Sequence, residues 1–119
     1  MGVVIVPGTT TEWSKIKYAA QTTTVQTVKG TAGLLGGYYC YNPNSSVAYL
    51  QIFDVASATT VTLGTTVPDL TLGIPATSGA NVSLGNGVSM VLGIKLACTT
   101  TATGSTAPAS GLDLNVFYK

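Results

Sequence analysis

Along residues 47–54, VAYLQIFD, apolar side chains occupy both phases of a two-residue alternation. Val47, Tyr49, Gln51 and Phe53 alternate with Ala48, Leu50, Ile52 and Asp54, the pattern of a strand buried on two sides. Residues 87–98 alternate differently. Val88, Met90, Leu92, Ile94, Leu96 and Cys98 share one face, and small or weakly polar residues fill the other. Shorter strand-like runs fall at 22–29, 36–41, 60–63, 69–73, 80–84 and 112–118. The NPNSS stretch at 42–46 predicts a turn, and Asn86-Gly87 between NVSL and VSMVLGIKL predicts a hairpin.

No segment sustains the i, i+3, i+4, i+7 apolar spacing of a helix for three turns. TEWSKIKYAA (11–20) comes nearest and reads as one helical turn or an N-terminal strand. The 20 threonines favour pleated surfaces, because a β-branched side chain loses less freedom there than in a helix. The expectation is an all-β chain: a single-domain antiparallel β-sandwich over residues 1–119, jelly-roll-like, with about eight strands. Residues 1–30 then form either an extended N-terminal arm or the first strands.

A sandwich of this size gives each strand only one side that faces the core. The second apolar side of 47–54 must therefore be covered by loops of the same chain or by another subunit. The low-complexity polar stretch TTTATGSTAPASG (99–111) reads as a long loop, and loops of that length are either functional or disordered.

Charge sharpens this picture. Only nine residues are charged, and windows 30–53 and 70–94 hold none. A 12.1 kDa monomer exposes roughly 6,000 Å², which leaves about one charge per ~670 Å² against about one per ~200 Å² at average composition. A mean hydropathy of +0.42 argues against disorder. Near-zero net charge also gives little colloidal repulsion, so partners are implied.

A membrane span fails on length, since the best apolar run, VSMVLGIKLAC (88–98), is eleven residues and contains Lys95. MGVVIVPG lacks the basic region of a secretory signal, and Val6 stands where myristoylation wants Ser or Thr. With no arginine and no histidine, little is available to neutralise phosphates or read bases, which argues against nucleic acid. Cys40 and Cys98 read as two buried reduced thiols, or as a disulfide if their strands are neighbours.

Candidate chemistry is sparse. Acid–base catalysis usually uses histidine or paired carboxylates, and here Glu12, Asp54, Asp69 and Asp113 stand far apart in sequence. Two cysteines cannot supply a zinc site, and no EF-hand loop occurs. GLLGG (33–37) resembles a phosphate cradle only superficially, because no Lys-Ser/Thr follows it. The reading is a protein that is not an enzyme and uses no cofactor or metal. The aromatic residues of GYYCY, with Tyr49, Phe53 and Trp13, read as core and cross-strand packing or, alternatively, as a sugar-binding platform.

Three stretches, YNPNSSVAYLQIFD, VTLGTTVPDLTLGIPA and LGNGVSMVLGIKLACTTTATGSTAP, and the terminal LDLNVFYK resemble a group of small virion proteins of tailed bacteriophages. The similarity covers about residues 38–119, and residues 1–37 lie outside it. The resemblance implies a capsid decoration (cement) protein that binds the major capsid protein or other virion proteins on the capsid surface. It implies a homo-oligomer, dimer or trimer, assembled in the host cytoplasm, and it transfers no catalytic residue. A tail, neck or fibre component with adhesin-like glycan binding is the alternative. Candidate contact residues are Trp13, Tyr18, Tyr39, Tyr41, Tyr49, Val67, Leu70 and Leu72.

Overall fold

The computed structural model describes residues 12–119. They form eight strands: β1 (Ser14–Gln21), β2 (Gln26–Lys29), β3 (Gly33–Asn42), β4 (Ala48–Phe53), β5 (Leu70–Ile74), β6 (Ser78–Met90), β7 (Ile94–Thr99) and β8 (Leu112–Tyr118). Two four-stranded antiparallel sheets, ordered β1-β8-β3-β6 and β2-β7-β4-β5, pack as a sandwich. The pairs β1–β8, β2–β7, β3–β6 and β4–β5 are nested, like rungs of one long hairpin whose tip is the β4–β5 connection. Successive rungs belong alternately to the two sheets, so rolling the hairpin brings its apolar positions together. β1 and β2 both fall within residues 1–30, so TEWSKIKYAA is chiefly strand rather than a helical turn.

Alternation along each strand fills the core. Leu35 and Cys40 enter from β3, Leu50 and Ile52 from β4, Leu96 and Cys98 from β7, all essentially fully buried. The cysteines are free thiols from opposite sheets. Burial, with the Asp113 charge adding to it, pushes the Cys40 thiol up to about 12. Burial also raises Cys98, with Cys40 as the smaller cause.

Two expectations are corrected. Residues 60–63 are not a strand but part of the connection 54–69. Asn86-Gly87 is not a hairpin turn, because β6 runs through it. Leu35 pairs with Val88 and Gly37 with Ser83, so a step of two residues on β3 faces a step of five on β6. The extra residues form a bulge that Gly85 and Gly87 make possible with positive φ, 61° and 96°. The chain reverses later, at Val91-Leu92-Gly93 between β6 and β7. Sequence periodicity ran on through this turn because its residues continue the apolar alternation.

The second side of β4 is covered by the chain's own loops. Lys95, outward on β7 and only 8% exposed, donates from Nζ to the carbonyls of Ser57 (3.0 Å) and Thr59 (2.6 Å). These contacts fasten the 54–69 loop over the sheet. Gln51, outward on β4 and fully buried, donates to Thr99 Oγ1 (2.7 Å) and to the Gly104 carbonyl (3.1 Å). The 99–111 loop is held there, and Thr71 adds a bond to the Ala102 carbonyl. The two loops meet at Gly64 and Ser105. Phe53, on the same face, is fully buried and lies outside the central core cluster.

The turn at 42–46 closes one end. Asn42 is completely buried, and its Nδ2 faces the carbonyls of Ser46 (3.0 Å), Ile74 (3.1 Å) and Pro75 (3.3 Å). Its Oδ1 accepts from the backbone N–H and side-chain amide of Asn44. Asn44 in turn bonds both backbone groups of Ser110. Its carbonyl also accepts the N–H and hydroxyl of Thr77, which is held at a φ of 48°. Two asparagines thus join the β3–β4 turn, the β5–β6 turn and the 99–111 loop.

Asn42→Ala should strand several buried carbonyls and lower unfolding free energy by about 3 kcal/mol, read from urea denaturation. Native Cys40 and Cys98 should resist alkylation at pH 8 and react fully once the protein is unfolded, as counted by mass spectrometry.

Candidate functional site

The two sheets present different exteriors. Loops roof β2-β7-β4-β5, whereas among the described residues no loop covers the outer face of β1-β8-β3-β6. Pairing register sets out that open face as a grid. Asn115 of β8 lies between Lys17 of β1 and Tyr39 of β3, and Tyr39 faces Asn81 of β6. One row away, Phe117 stands between Lys15 and Gly37, and Gly37 faces Ser83. On the other side of Tyr39, Asp113 pairs with Tyr41 and Tyr41 with Gly79.

Three of the sequence candidates meet here. Tyr39 is 50% exposed, Tyr41 46% and Trp13 40%. Phe117, which the sequence reading did not single out, joins them: its ring stands edge-to-face with Tyr39 at 4.8 Å between centroids. The alternation Asp113, Asn115, Phe117 along β8 was the available signal. Trp13 lies on the backbone at Gly36, where a β-carbon would come within 2.6 Å of the indole. Lys119 Nζ sits 4.5 Å from the Trp13 ring. Lys17 and Asp113 form an ion pair at 2.6 Å with both side chains about half exposed, so the face has little uncompensated charge near its centre.

Two shallow depressions flank Tyr39. One, of about 240 Å³, runs toward Trp13 over Gly36, Ser83 and Gly85 and is bounded by Phe117. The other, of about 310 Å³, runs toward Tyr41 over Gly79 and is bordered by Asn81, Asp113 and Asn115. They exist because glycines stand where neighbouring positions carry rings.

The remaining candidates separate. Tyr18, Leu70 and Leu72 turn inward and are partly buried against the core. Burial raises the Tyr18 phenol above its ordinary value, with Tyr118 the second cause. Tyr49 is half-buried on the roofed sheet beside Gly73. Val67 is 80% exposed at the end of the 54–69 loop.

Val67 precedes Asp69 on the loop that enters β5, at the end of the sandwich where an apolar turn is exposed. Val91 is 68% exposed and Leu92 53%, both in the β6–β7 turn at the same end of the sandwich. Asp54 organises it: its carboxylate accepts the N–H groups of Val91 (2.9 Å), Leu92 (2.8 Å) and Gly93 (3.3 Å). Asp69, two residues beyond Val67, accepts the Asp54 N–H at 2.6 Å. The tip is therefore a preorganised turn, not a loose loop. Val91 and Leu92 escaped the sequence reading because the reversal was placed at Asn86-Gly87.

No protein-family model, curated protein or solved structure matches the chain. Among the described residues no three His, Cys, Asp or Glu side chains gather in a metal-binding arrangement.

Asp54 gives the tip a pH dependence. Desolvation pushes its carboxyl up, but the three backbone N–H donors outweigh this and hold it below the ordinary value of 3.8. The ionised form is favoured in the folded state, so its contribution is full above that value and lost as pH falls through the lower folded one. Protection factors at Val91–Gly93, with the intrinsic pH dependence of amide exchange divided out, should fall selectively on acidification through this window. Asp54→Asn should remove that step and leave exchange in the core strands unchanged.

Proposed function

We propose that this protein is a virion structural protein that docks on capsid subunits through the Val67–Val91–Leu92 tip and reinforces the shell of a tailed phage. The observation behind the reading is that tip: three exposed aliphatic side chains at one end, with a turn fixed in advance by Asp54 and Asp69. Apolar area removed from water contributes roughly 25 cal/mol per Å², and a preformed turn lowers the ordering cost that normally offsets it. Repetition over a symmetric shell adds avidity to contacts that are individually weak.

The resemblance of residues 38–119 to small phage virion proteins supports the same partner. We read the nested strand pairing as a jelly roll, an architecture found among viral capsid domains and also among lectins. Fold by itself assigns no function, so the weight rests on the tip. In this reading the particle-bound form is a small homo-oligomer, and its partner is the major capsid protein.

Attachment should persist from low to molar NaCl, because burial of aliphatic groups is not screened. Leu92→Asp, at an exposed turn position, should leave the fold intact and weaken binding to purified heads at least tenfold, about 1.4 kcal/mol. Release by modest salt, or wild-type attachment of the folded variant, would remove the proposal. Equal binding to isolated tails would move the protein from the head to the tail.

A further inference from the structure

The open face of β1-β8-β3-β6 is not needed for docking through the tip, and its chemistry is different. Its rings do not form a greasy patch. Tyr39 and Tyr41 stand about half exposed, with the amides of Asn81 and Asn115 in the row of the first, the Asp113 carboxylate in the row of the second and the Ser83 hydroxyl one row beyond Tyr39. Asn81 makes no side-chain hydrogen bond to another described residue. Asn115 makes one long contact, 3.4 Å to the Tyr39 carbonyl. Among the described residues Asp113 is the acid that the strand register places on this face, and Lys17 pairs with it.

A ligand for this surface must offer apolar C–H faces to rings and, at the same spacing, many donors and acceptors without net charge. Sugar rings do both. The polarised C–H bonds of a pyranose face meet the negative face of an aromatic ring, as a cation does, while hydroxyls around its rim suit amides and a carboxylate. A peptide strand would look for an unpaired backbone edge, and this surface lies across the sheet instead. A polyanion would look for clustered cations. Here Lys119 is stacked on Trp13, Lys17 is paired, and Lys15 stands at the margin.

From this juxtaposition we infer that the two depressions on either side of Tyr39 are adjoining subsites for a neutral saccharide chain. Their combined size lies within the range of ordinary ligand sites. Tyr39 forms the ridge between them, with Tyr41 and Trp13 at the far walls. Asn81, Asn115 and Asp113 bond hydroxyls in the Tyr41 subsite, and Ser83 does so in the Trp13 subsite. The inference goes beyond the docking proposal and does not rest on it, since the isolated protein should bind sugar whether or not it binds capsids.

The test uses the full chain in solution with neutral oligosaccharides of glucose, galactose, mannose and N-acetylglucosamine, followed by ligand-observed NMR and titration. Binding at millimolar or better Kd to at least one series is expected, with little change between ~0.1 and 1 M NaCl. Tyr39→Ala and Tyr41→Ala should each weaken it at least tenfold. Tyr39→Phe should retain most of it, which separates loss of the ring from loss of the fold. No binding to any series overturns the inference. So does binding that survives both alanine changes, or binding confined to acidic sugars and abolished by salt. Leu92→Asp should leave sugar binding untouched, so this result and the docking result can fail separately.

Discussion

Lys95 sends its ammonium away from the core of β7 and into the 54–69 loop, where the carbonyls of Ser57 and Thr59 receive it. Among the described residues no carboxylate lies at hydrogen-bonding distance, yet the group is almost fully buried. Such burial is tolerable only because backbone oxygens replace its water. Gln51 performs the neutral version of the same task toward the 99–111 loop. These two side chains hold the second cover in place, because a central strand with two apolar faces needs one and here the 54–69 and 99–111 loops supply it. The 99–111 loop has few apolar groups of its own, whereas the 54–69 loop brings Val55, Val61 and Leu63, each partly buried. In both, backbone carbonyls are bound by side chains rising from the sheet.

Roofing one sheet leaves the molecule asymmetric. The covered side needs no charge, which accounts for the uncharged β4 and β5, whereas the equally uncharged β3 and β6 belong to the open sheet. Apart from Val47 beside the 42–46 turn, the exposed large apolar side chains of the described residues lie on the open sheet, at the tip and at Val67. They differ in kind. The tip offers aliphatic groups on a turn held by a carboxylate, suited to a shaped protein partner. The open sheet offers half-exposed rings among amides, suited to hydroxylated ligands. The proposed docking and the proposed sugar binding draw on different side chains.

The alternation was legible where it was strong. β4 and β8, and the core faces of β3 and β7, follow from a period of two and from turn residues at 42–46. The reversal at 91–93 was not legible, since Val91 and Leu92 continue the apolar run and the better turn signal, Asn86-Gly87, lies a few residues earlier. That dipeptide supplies a bulge because β3 is present on the other side to keep pairing with β6 beyond it. Misplacing the turn hid the tip. In the same way Leu70 and Leu72 looked like contact residues, although their strand turns them to the core and exposes Thr71.

By itself the sequence determined the all-β class, the single core, the apolar faces that fill it and the scarcity of charge, because these depend on composition and on the pleat's fixed period. Only the tertiary structure decided which loops cover β4, that Phe53 is hidden while Tyr39 and Tyr41 are exposed, and that Phe117 joins them. Those outcomes depend on which strands become neighbours and in what register. Pairing across 76 residues, as between Tyr39 and Asn115, leaves no local trace in the chain. A ring's exposure is set by what stands beside it, and its neighbours here come from distant segments.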